Sequence, residues 1–67
     1  VKTWTAKDLR DIWDLGEAFA IGDKDALARF GSLHQALVLA GALHEAEAVR
    51  GLFNDALKAA IARRVGP

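Results

Sequence analysis

The sequence predicts a small all-α protein, a three-helix antiparallel bundle completed by self-association. Three observations predict it. Apolar residues recur at helical spacing through most of the 67 residues. Glycines interrupt that pattern at two places, with an N-capping aspartate directly after the first of them, and the stretch from Ala36 to Leu43 has no polar side at all.

The first helix is expected over about residues 6–21. Thr5 is a good N-cap, with Asp8 three residues on as a short version of the capping box. Trp4, one residue before the cap, is placed to fold onto Leu9 as a hydrophobic staple. Leu9, Ile12, Trp13, Gly16, Phe19 and Ala20 form the inward stripe. Lys7, Arg10, Asp11, Asp14 and Glu17 take the wet side, where Lys7–Asp11 and Arg10–Asp14 are i, i+4 pairs. Gly22 ends the helix because a left-handed backbone costs glycine little.

Asp23 caps a second helix, expected over about 24–40, and the Gly22-Asp23 turn folds it back on the first. Leu27, Phe30, Leu33 or His34, Leu37 and Ala40 point inward, with Asp25, Arg29 and Ser32 in water. Gly41 is the second break, although no Ser, Thr, Asp or Asn stands beside it to cap a third helix. The rival is one kinked helix from Lys24 to Arg64. A third helix over about 43–65 turns Ala46, Val49, Phe53, Ala56, Leu57, Ala60 and Ile61 inward, and Gly66-Pro67 stops it. Arg63 and Arg64 in its last turn suit the helix dipole. The bundle's handedness is open.

One domain fills residues 1–67, and a chain this short buries only roughly 60% of its unfolded surface. It has no cysteine, so neither disulfides nor thiolate metal sites stabilise it. Nine basic residues balance nine acidic ones, so the overall field favours neither nucleic acid nor an anionic membrane. The distribution is uneven. Six acids face four bases up to Asp25, whereas Arg50, Lys58, Arg63 and Arg64 face only Asp55 toward the end. These two regions are expected to attract each other, within one fold or between two copies. The uncharged stretch from Phe30 to Leu43 is 14 residues and too short for a bilayer span of ~20. No signal peptide is evident. The compartment is unassigned, with the cytoplasm favoured over secretion.

The residue inventory argues against an enzyme. Ser32 is the only serine, and His34 and His44 lie ten residues apart with nothing to orient a base or build an oxyanion hole. His44, Glu45 and Glu47 lack the second histidine of the zinc-protease helix, whose place Ala48 takes, and Gly41 stands where a di-iron bundle would carry glutamate. They read as an exposed first turn with acids suited to the dipole. No cofactor or metal site is expected. Trp4, Trp13, Phe19, Phe30 and Phe53 read as core and staple. Gly16, Gly31 and Gly51, each inside a helix, read as points of close helix approach.

These residues carry two resemblances. Ala26 to Gly41 resembles a helix-turn-helix DNA reader with Gly31 as its turn, which implies Ser32 to Ala40 as the recognition helix. That segment offers only His34 and Gln35 to base edges, so nucleic acid is disfavoured. Phe30, Leu33, Ala36, Leu37, Gly41, Leu43, Glu45 and Ala46 fall near the spacing of tetratricopeptide hairpins, with His34 and Phe53 departing from it. The match spans about one repeat where such arrays need roughly three, and it implies generic αα-hairpin packing.

The expected function is a non-enzymatic protein–protein interaction or oligomerisation domain. Its apolar surface lies around residues 36–43, with Val38, Leu39 and Leu43 at the interface. The partner is a second copy, as a homodimer, or another helical protein. The alternatives are the DNA reader and an idealised or designed scaffold without a partner.

Overall fold

A computed structural model describes residues 4–65. Within them lie three helices, α1 (Ala6–Ala20), α2 (Lys24–Leu39) and α3 (Leu43–Val65), and no strands. The expected boundaries differ from these by no more than one residue. Gly66 and Pro67, the expected stop signal, lie outside the described residues.

The local devices form as their chemistry dictates. The Thr5 hydroxyl accepts the Asp8 N–H at 3.2 Å while the Asp8 carboxylate accepts the Thr5 N–H at 3.1 Å, a reciprocal capping box. Both turns are Schellman closures on a left-handed glycine. At Gly22 (φ 100°) its N–H donates to Phe19 O, and the Asp23 N–H to Ala18 O. At Gly41 (φ 77°) its N–H donates to Val38 O, and the Ala42 N–H to Leu37 O. The chain therefore breaks at Gly41, and the single kinked helix is excluded. Asp23 caps α2 by accepting the Asp25 N–H at 3.0 Å. The α3 start has only Ala42 at its cap position, so that end relies on the preceding turn.

Because two tight turns reverse the chain twice, α1 and α3 run parallel, each antiparallel to α2. The most extensive contact is between the first and last helices. Gly16 explains how close they come: a Cβ there would lie 2.7 Å from both Ala56 Cβ and the Phe53 carbonyl oxygen. Only glycine fits. Gly31 and Gly51 differ, since a Cβ at either meets nothing within 4 Å. The close-approach reading is correct for Gly16 and wrong for the other two.

Ile12, Phe30, Val49 and Phe53 form the centre of the core, with Trp4, Leu15, Phe19, Leu33, Leu37 and Leu52 packed around them. Phe53 is the hub, its ring 4.2 Å from that of Phe30 and 6.0 Å from that of Phe19. On α3 the buried residues Ala46, Val49, Phe53, Ala56 and Ala60 alternate steps of three and four, the narrow seam of near-parallel helix packing. That seam leaves Ile61, expected inward, exposed. Leu27 and Ala40 on α2 are exposed too, and Ala26, missed in the sequence, is buried instead. On α1 the inward stripe is rotated toward Leu15. Leu9 is therefore exposed, and Trp13 is half-buried outside the central cluster. The cause is common to all three helices: each buries a narrower sector than its apolar residues span.

Part of the charge asymmetry is met within one fold. At the α1 and α3 C-termini, Arg63 pairs with Glu17, and the Arg64 guanidinium donates to Ala20 O at 3.0 Å. The last turn of α1 has no basic residue of its own, so Arg64 of α3 supplies the cation its carbonyl end favours. Lys7–Asp11 forms at 3.5 Å, whereas the expected Arg10–Asp14 pair is not made.

Candidate interaction surface

The α2–α3 turn positions the predicted interface residues. Val38 and Leu39 close α2, and Leu43 opens α3. On α2 the buried direction is set by Ala26, Phe30, Leu33 and Leu37, and 100° per residue carries Val38 and Leu39 away from it. Those two point to solvent for that reason, Leu39 79% and Val38 42% exposed, and Leu43 at the start of α3 is 61% exposed. Ala36, Ala40 and Gly41 around them are exposed as well. The Schellman closure at Gly41 fixes the turn, so these apolar side chains stand on ordered backbone.

At the same end of the bundle lies a groove of about 390 Å³ between the starts of α1 and α3. It is lined by Trp4, Leu9, His44, Glu45, Ala48 and Val49. The Trp4 indole N–H donates to a Glu45 carboxylate oxygen at 3.2 Å and holds the aromatic wall against α3. Trp4 and Leu9 both line this groove. Glu45 thus has a structural role that a reading of HEAE as a solvated first turn misses. The signal was faint in the sequence, because the two residues are 41 positions apart.

A second groove, of about 520 Å³, lies at the opposite end between Glu17, Ala18, Ile21, Ala60, Arg63 and Arg64. Both its arginines are engaged by α1.

The other residues weighed in the sequence do not converge. His34 lies with its ring 6.0 Å from that of Phe30 on α2, half-buried, while Ser32 is exposed. His44 lines the first groove, on another helix. Among the described residues no three His, Asp or Glu side chains come together as a metal site. No helix among them is long and apolar enough to cross a membrane. The helix-turn-helix resemblance required a turn at Gly31, and α2 runs unbroken through that residue. At this end the described residues offer exposed apolar side chains beside an apolar concavity. No family model matches the chain, and no curated protein or solved structure matches it significantly.

Proposed function

We propose that this protein is a helical self-association domain, a homodimer whose interface is built on Val38, Leu39 and Leu43. The observation that carries the reading is the exposure of three large aliphatic residues, Val38, Leu39 and Leu43, at the α2–α3 turn on a stretch without charge from Phe30 to Leu43. Exposed leucines are ordinary when scattered. Several exposed at one helix–helix turn are less ordinary, and apolar side chains gathered at one place mark interaction sites. Each such side chain contributes about 1–2 kcal/mol when covered, set against association costs of several kcal/mol.

A second copy suits the site better than a charged partner. The patch offers no charge to select such a partner, and a net charge of zero removes long-range repulsion between copies. A two-fold contact uses the same patch twice, so every gain is doubled. The test is the mass in solution by light scattering across an approximately hundredfold dilution. A dimer is expected for the native chain and folded monomer for Leu39→Glu, checked by circular dichroism. A Leu39→Glu chain that dimerises as tightly as the native one excludes this interface.

A further inference from the structure

We draw no further inference here: the strongest candidate, the apolar groove lined by Trp4, Leu9, Ala48 and Val49 between the starts of α1 and α3, carries none because nothing in the structure shows what covers it.

Discussion

The two ends of this bundle are built from similar helix termini and finished in different ways. Where α1 and α3 end, Arg63 meets Glu17, Arg64 meets the Ala20 carbonyl, and Asp23 caps α2. Ile21 is 71% exposed there, yet it lies in a groove rimmed by Glu17, Arg63 and Arg64. Where α1 and α3 begin, a side-chain hydrogen bond joins Trp4 to Glu45, and Val38 and Leu39 stand in a stretch without charge from Phe30 to Leu43. A charged rim discourages an apolar contact because covering it means desolvating ions. Exposure alone does not mark an interaction site. What surrounds the exposed group decides.

The strongest way to break the contrast is to separate α1 from α3, on which both ends depend. Gly16→Val has nowhere to put its side chain and is expected to destabilise the fold by about 3 kcal/mol. Urea unfolding should report it, and a native midpoint would show the two backbones are not in contact. Next in size is Gly41→Ala, which forces alanine into the left-handed region at the apolar end. A loss of about 1–2 kcal/mol is expected there, with the turn carrying Leu39 and Leu43 loosened along with it. The nuclear magnetic resonance shifts of residues 38–43 should move most.

Gly31→Ala runs the other way. Its Cβ enters open space on an uninterrupted helix, so the monomer is expected to gain roughly 0.5–1 kcal/mol. Thermal unfolding at low concentration checks it, and a fall in midpoint would contradict the open site. The smallest effect is expected at the charged end. Arg63→Gln removes a pair whose arginine side chain is 67% exposed, so screening holds the loss to a few tenths of a kcal/mol, fading with added salt. A loss above about 1 kcal/mol in high salt would mean packing by the arginine stem matters more than its charge.

Most of the fold was legible because its signals are local. Thr5 with Asp8, Gly22 with Asp23, and Gly41 each specify backbone geometry within four residues, and each did so. The position of Val38 and Leu39 in solvent was legible too, since helical rotation from Phe30 and Leu37 places them, whereas Leu43 lies beyond the Gly41 turn and its exposure follows from α3. Three other features were out of reach for one shared reason. The rotation of α1 toward Leu15, the exposure of Leu9, Leu27 and Ile61, and the Trp4–Glu45 bond depend on where a distant helix lies. Periodicity says that a helix has an apolar side but not how wide a sector its neighbours can cover. Nothing in the sequence distinguished Gly16 from Gly31 and Gly51 for the same reason, and the structure offers no packing account of the latter two.

The dominance of the α1–α3 contact also fixes how this chain comes apart. Its close approach at Gly16 and Ala56 joins residues forty positions apart, and Trp4–Glu45 and Arg63–Glu17 span similar separations. Neither hairpin alone contains the full set of Ile12, Phe30 and Phe53. A half-folded chain would thus bear nearly all the entropic cost of ordering its helices with little of the core to offset it. Fraying from either end exposes the same seam. Amide exchange deep in α1 and deep in α3 should therefore proceed at one common rate, that of the molecule opening as a single cooperative unit.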